Sequence, residues 1–293
     1  MAELTGLPQP PEMGASALPA GTYDGETVFI TGAGTGLGKA VAMEFARLGA
    51  AIVIASRRPE HLDAGRQAIE DVGAGVLTVA CDIRDPDQIA AAFDEAEARF
   101  ALPGVLINNA AANFPVAAED MSPNAWRTVI DITLNGTYLV TREFGRRHLT
   151  AGTPGSIVNI GASYAWTGGP GFSHSAAAKA GVKSMTESLA VEWAPYGIQV
   201  NGLVPGLMPH VDMTADIQAN LARTSDKDVC QPALRVGQPR ELGWAATFLA
   251  SPYARFIAGH TLVVDGASWL RRFLTPPPVV TAREQMGKGP FEG

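Results

Sequence analysis

A chain of 293 residues with 46% hydrophobic content can bury one large core, and an α/β sheet of that length is commonly a single domain. Its formal net charge of −7 comes without a basic block, which argues against a nucleic-acid groove or an anionic membrane surface and leaves small molecules as partners. Two cysteines, Cys81 and Cys230, cannot build a disulfide framework and read as buried or incidental thiols; the five histidines lack paired-ligand spacing, so no metal site is expected, and no apolar run reaches the length of a membrane span.

Residues 1–23 carry four prolines and little hydrophobic periodicity, and they are expected to form an extended or disordered arm. The arm lacks the basic and apolar regions of a targeting peptide, and the final Phe-Glu-Gly is not a peroxisomal address, so the expected compartment is the cytoplasm. Residues 24–270 read as one nucleotide-binding domain and 271–293 as a tail. The first strand is placed at 27–31. Gly32-Ala-Gly-Thr-Gly-Leu-Gly38 follows it and leads into a helix at 39–48. Between a strand and a helix, glycines let the backbone turn tightly and approach a pyrophosphate, while the helix start offers free N–H groups. Thr31, Gly32, Gly34, Thr35, Gly36, Leu37 and Gly38 are therefore assigned to a dinucleotide.

The second strand, 51–55, ends in Ser56-Arg57-Arg58, where an acid that would hold a ribose 2′-hydroxyl is absent. A guanidinium pairs with a 2′-phosphate by charge-assisted hydrogen bonds and helps a bare hydroxyl less, which predicts NADPH over NADH. Strand and helix then alternate: helix 59–71, strand 76–80 followed by Cys81-Asp-Ile-Arg-Asp85, helix 86–100, and strand 105–107 ending in Asn108-Asn-Ala-Ala-Ala-Asn-Phe114. A long helix at 123–149, a strand at 156–160, a helix at 172–195, a strand at 199–204, a helix at 241–250 and a strand at 261–264 complete the pattern. Such alternation predicts a single Rossmann-type doubly wound parallel α/β sheet of about seven strands, with helices on both faces and ligands at the strands' carboxyl ends. Residues 205–236 read as a mobile lid over an apolar substrate. The tail after Leu274, with Pro276-Pro-Pro278, is expected to pack on a neighbouring surface or subunit.

The spacing Thr31-Gly32-x-x-x-Gly36-x-Gly38, with Asn108-Asn-Ala-Ala111 and Lys179, resembles the short-chain dehydrogenase/reductase family, although Ala111 stands where the family motif has glycine. In that family Asp82 and Ile83 would border the adenine, and Asn109, Ala110, Ala111, Pro205 and Gly206 would lie along the cofactor with Ser56, Arg57, Arg58 and Lys179. The family's usual tetrad is largely missing. Thr133 stands at its asparagine, Ala162 at its serine and Ser175 at its tyrosine; only Lys179 matches. An alcohol such as Ser175 is far too weak an acid to replace a lysine-activated tyrosine in carbonyl reduction. Ser175 thus reads as an abandoned position whose loss should leave turnover nearly intact.

One branch has the same gaps. Ala55-Ser-Arg57, Cys81-Asp-x-Arg-Asp-Pro86, Asn108-Asn-Ala-Ala-x-Asn-Phe114, Ser122-Pro-Asn-Ala-Trp126, Asp131-Ile-x-Leu-Asn-Gly-Thr137 and Ser175-Ala-x-Ala-Lys-Ala-Gly181 resemble the 2,4-dienoyl-CoA reductases of fatty-acid β-oxidation, over about 23–269. The resemblance implies NADPH-dependent reduction of a 2,4-dienoyl-CoA, or a similar conjugated thioester, to an enoyl-CoA. It implies Tyr164, Asn113 and Lys179 as catalytic residues, and Arg84, Asn113, Phe114 and Tyr164 as residues that bind the acyl-CoA. It also implies a homo-oligomer, taken as a homotetramer. Two other functions remain open from the sequence: a reductase of another enone or ketone, and a nucleotide-binding member without turnover.

Overall fold

The computed structural model describes residues 6–213, 231–271 and 281–289. The apolar runs form seven strands: β1 (Thr27–Thr31), β2 (Ala51–Ser56), β3 (Val76–Ala80), β4 (Val105–Asn108), β5 (Gly155–Ile160), β6 (Ile198–Pro205) and β7 (Thr261–Val264). They pair in the order β3-β2-β1-β4-β5-β6-β7, every ladder parallel. Among the described residues the α-helices are α1 (Gly36–Arg47), α2 (Pro59–Glu70), α3 (Pro86–Arg99), α4 (Pro123–Ile130), α5 (Thr137–Ala151), α6 (Tyr164–Thr167), α7 (Ser173–Trp193), α8 (Pro239–Ala250) and α9 (Ala282–Gln285).

Local chemistry sets several of these boundaries. Proline opens α2, α3, α4 and α8, where its missing N–H has no intrahelical partner to lose. Asp85 caps α3 by accepting from Asp87 N and Gln88 N, and Ser122 caps α4 by accepting from Ala125 N. Successive residues along a strand face opposite sides, so β1 feeds two cores at once. Val28 and Ile30 pack with Ile52, Ile54, Phe45, Leu242 and Leu249 on one face. Phe29 packs with Val53, Leu106, Phe93, Phe144 and Trp193 on the other. The Phe29 and Phe93 rings stack with centroids 4.4 Å apart. Each such buried side chain stabilises the fold by about 1.5–3 kcal/mol.

The strand order reverses beside β1, since β2 follows it on one side and β4 lies on the other. A crevice therefore opens at the carboxyl ends of β1 and β4, where Thr31 and Asn108 are register partners.

Three elements differ from the sequence expectation. The helix expected at 123–149 is two helices, α4 and α5, joined by a wide π turn at Asp131–Gly136. The turn carries the fully buried Thr133, whose hydroxyl accepts from Ala112 N and donates to Ala112 O. It also carries Gly136, where a Cβ would come within 2.7 Å of the Ile83 side chain. Helix α1 begins at Gly36 rather than at residue 39, so Gly36 to Gly38 form its first turn. Tyr164, in the connection between the strand expected at 156–160 and the helix expected at 172–195, opens the single-turn helix α6.

The described part of the arm lies along α8. Arg240 donates to Pro11 O, the Trp244 indole donates to Ala15 O, and the buried Tyr23 hydroxyl donates to Thr247 O at 2.6 Å. Residues 281–289 return to the loop after β4, where Arg283 pairs with Glu119 and Asp120 and Lys288 pairs with Asp120. Cys230, the proline run 276–278 and the 214–230 part of the expected lid lie outside the described residues. Among those described, no helix is long and apolar enough to cross a membrane.

Candidate active site

The crevice is built first by the end of β1. Thr31 Oγ1 accepts the N–H groups of Asn109 and Ala110, both at 3.1 Å, while Asn109 Nδ2 donates to Gly32 O at 2.9 Å and Thr31 O at 3.2 Å. The glycine turn is thereby pinned to the Asn108-Asn-Ala-Ala segment. Gly32 and Gly36 have φ of +68° and +59°, a left-handed backbone that favours glycine. A Cβ on Gly34 would lie 2.1 Å from His61 O, and one on Gly38 would lie 2.4 Å from Asn109 Nδ2. Side chains are excluded at these glycines, so a bound group can approach the backbone there closely. That is the chemistry a pyrophosphate needs.

Ser56, Arg57 and Arg58 follow at the end of β2, with both arginines exposed. At the end of β3, Asp82 and Arg84, assigned separately to adenine and substrate, form one ion pair: Arg84 Nε donates to Asp82 Oδ1 at 2.9 Å. Its hydrogen bonds hold the Asp82 carboxyl down to about 2, so the pair stays charged at any ordinary pH. Ile83 lies beside them, packed against Gly136. Across the crevice, Gly206 follows β6, where a Cβ would meet Asp265 at 2.5 Å, and Pro205 ends the strand in register with Val264.

The second half of the site is gathered around Tyr164. Asn113 Nδ2 donates to the Tyr164 hydroxyl at 3.3 Å, and Ser175 Oγ lies 3.0 Å from the same oxygen. The Phe172 ring lies parallel to that of Tyr164 with centroids 6.0 Å apart. Gly169 lets the loop between them close, since a Cβ there would stand 3.2 Å from Tyr164 Cβ. Asn113 is held from two directions: Thr133 fixes Ala112, and Val116 N donates to Gly171 O at 2.9 Å. Phe114, partly exposed, meets the buried His174 edge-on at 4.7 Å.

Burial pushes the Tyr164 phenol up, and the Ser175 hydrogen bond opposes this only in part. The group keeps its proton at neutral pH and is a hydrogen-bond donor, not a phenolate. Lys179 stands one helical turn beyond Ser175 on α7. It is buried and donates from Nζ to Ile160 O, and desolvation lowers its pKa to about 8.

Ser175 is therefore not a vacant position. Its buried hydroxyl helps fix the Tyr164 oxygen, which the sequence reading missed because eleven residues and a glycine loop separate the two. The roles of Thr133 and of a buried amide chain were missed as well. Asn108 Nδ2 donates to Thr141 Oγ1 and Asn159 Oδ1, each at 2.8 Å, and Asn159 Nδ2 donates to Thr186 Oγ1 at 2.9 Å. This chain ties β4 and β5 to α5 and α7 directly beneath the site. The available signal was Asn159 itself, an amide inside an otherwise apolar buried strand, which requires partners.

The family described as Enoyl-(Acyl carrier protein) reductase matches residues 32–267. The chain belongs to the short-chain dehydrogenase/reductases of this enoyl-reductase type. It is an oxidoreductase. Among its relatives, the "Probable 2,4-dienoyl-CoA reductase decr-1.2 [(3E)-enoyl-CoA-producing]" of Caenorhabditis elegans is 40% identical over 84% of this chain and 81% of its own length. The "Probable 2,4-dienoyl-CoA reductase [(2E)-enoyl-CoA-producing]" of Bacillus subtilis is 37% identical over 85% of this chain and 98% of its own. A crystal structure from Agrobacterium tumefaciens with bound NADP is similar with a TM-score of 0.77 and 33% identity, over 85% of this chain and 98% of that one.

The burial of Lys179 gives a test of this geometry in the protein alone. A lysine whose pKa falls from 10.5 to about 8 on folding binds fewer protons in the native state than in the unfolded state between those values. Native stability must then rise with pH across that window. The unfolding free energy of the protein minus that of Lys179→Met is expected to increase from about pH 8 to pH 10.5, measured by denaturant titration. A difference that stays flat across the window would mean that the ammonium is not held in a desolvated site.

Proposed function

We propose that the chain is an NADPH-dependent reductase of 2,4-dienoyl-CoA, or of a closely similar conjugated enoyl thioester, acting in fatty-acid degradation. The observation that supports this most is the convergence of the Asn113 amide and the Tyr164 hydroxyl, 3.3 Å apart. The glycine cradle from Gly32 to Gly38, Arg57 and Lys179 would hold the cofactor, which when bound supplies the hydride. What the chain must then do is manage charge. In conjugate reduction, negative charge develops on the thioester oxygen, away from the carbon that is attacked, so donors are needed at that oxygen.

Tyr164 and Asn113 have the right chemistry for those donors. An amide has two N–H groups, so Asn113 can steady Tyr164 with one and offer the other. A donor aimed at a developing oxyanion is worth about 3–4 kcal/mol when measured by deletion. Lys179 would place positive charge beside the nicotinamide ribose, and water would reprotonate the dienolate. Ordinary ketone reduction is disfavoured by the same residues. Ala162 offers no hydroxyl, and the Ser175 alcohol is too weak an acid to protonate an alkoxide. The names of the two reductase relatives agree with the thioester assignment.

Removing the Tyr164 hydroxyl keeps the ring and its packing on Phe172 but takes away a donor used mainly in the transition state. Tyr164→Phe should therefore lower kcat about a hundredfold or more, with NADPH affinity unchanged. Asn113→Ala should act in the same direction, and the double variant should lose less than the product, because both donors serve one oxygen. Ser175→Ala, which only orients Tyr164, should cost far less than Tyr164→Phe. Near-normal kcat in Tyr164→Phe, followed by NADPH absorbance with a 2,4-dienoyl-CoA, would leave this mechanism without its principal residue.

The cofactor assignment has a separate test. Arg57→Ala should weaken NADPH relative to NADH by about tenfold or more, because the lost phosphate pair is one that NADH never makes. Equal weakening of both dinucleotides, measured by fluorescence titration, would remove the 2′-phosphate from Arg57.

A further inference from the structure

The start of α1 carries a negative group of the chain's own. Gly36 N–H donates to Asp212 Oδ2 at 2.7 Å, and Lys39 Nζ approaches the same oxygen at 2.9 Å. Asp212 belongs to the segment that follows β6, 176 residues away in sequence. The adjoining His210 ring lies over the turn, its Cε1 2.9 Å from where a Cβ on Gly36 would stand. Thr35, at the N-cap of α1, makes no side-chain cap hydrogen bond, and the orphan N–H of Gly36 is satisfied by this distant carboxylate. A helix start reinforced by a lysine is an anion site, and here the anion is a side chain.

We propose that Asp212 is a built-in competitor for the cofactor's pyrophosphate, and that the 207–213 strap must release the glycine turn before a dinucleotide can seat. The proposal rests on the assignment of that turn to a dinucleotide made above. Two anions cannot share the same donors at the head of α1. The strap is anchored beside the site at its start: Gly206 follows β6, and Leu207 O accepts from Gly237 N at 2.9 Å. Cofactor entry is thereby coupled to movement of the chain that borders the crevice. The apparent affinity is the intrinsic affinity multiplied by the fraction of molecules in which the strap is open. Asp212 and Lys39 are each 22% exposed, so the pair is partly screened and the expected effect is modest. Removing the carboxylate should tighten dinucleotide binding by about fivefold.

The test is NADPH and NADH binding to the full chain and to its Asp212→Asn and Asp212→Ala variants, by equilibrium titration and rapid mixing of cofactor fluorescence. Both variants should bind both dinucleotides about fivefold more tightly, since both cofactors carry the pyrophosphate. The unmodified protein's binding rate should level off as NADPH rises, because opening limits it, while the variants' rate should climb linearly. Equal or weaker binding in variants that melt like the unmodified protein would overturn the proposal, as would a linear rate in the unmodified protein. If neither the protein nor the variants bind a dinucleotide, the assignment of the turn itself falls and the proposal falls with it; binding without a difference overturns the competitor alone.

Discussion

Two hydrogen bonds from the backbone of Asn109 and Ala110 to the single hydroxyl of Thr31 hold the centre of the site together. They join the end of β1 to the end of β4 at the place where the strand order reverses, and they set the distance between the glycine turn and the segment that carries Asn113. Each half of the site is then elaborated from this join. On one side Gly34 closes against His61 and Gly38 against Asn109, with no room for a side chain at either position. On the other, Ala112 is clamped by Thr133, and Asn113 is brought to Tyr164. Below, the Asn108–Asn159–Thr186 chain prevents the strand ends from moving independently.

The positions that correspond to the family's usual tetrad still make contacts within the site. At its asparagine position the buried Thr133 holds the Ala112 backbone. At its tyrosine position Ser175 contributes a hydroxyl to Tyr164 from the first turn of α7. The lysine remains, buried and with its pKa depressed. The phenol of Tyr164 stands fifteen positions before the lysine, on a short helix of its own. A donor placed there suits charge that appears at a distance from the reacting carbon.

Much of the fold was legible because apolar β-rich runs, glycine turns and proline-led helices repeat along the chain in one order. Fully buried parallel strands leave little doubt in such a sequence. The break at 131–136 was not legible, because the helical pattern continues through it; the partner that distorts it, the Ala112 backbone, arrives only through the sheet. Ser175 could not be linked to Tyr164 for the same reason, since their contact depends on how the glycine loop at 168–171 folds. Asp212 is the extreme case. An aspartate in an irregular segment gives no local sign that it will reach a glycine turn at the far end of the chain's topology. Local periodicity reports elements, whereas these side-chain contacts are products of tertiary closure.

The central claim is that the donors around Tyr164 serve a conjugated thioester and not a carbonyl carbon under direct attack. The most direct measurement is the rate of NADPH oxidation by the purified chain with a 2,4-dienoyl-CoA set against that with a saturated ketone of the same length. Rapid oxidation is expected with the thioester and none above background with the ketone. Turnover of the ketone without turnover of the dienoyl-CoA would contradict it, and NADPH binding with no oxidation in either case would identify a nucleotide-binding protein that has lost its chemistry.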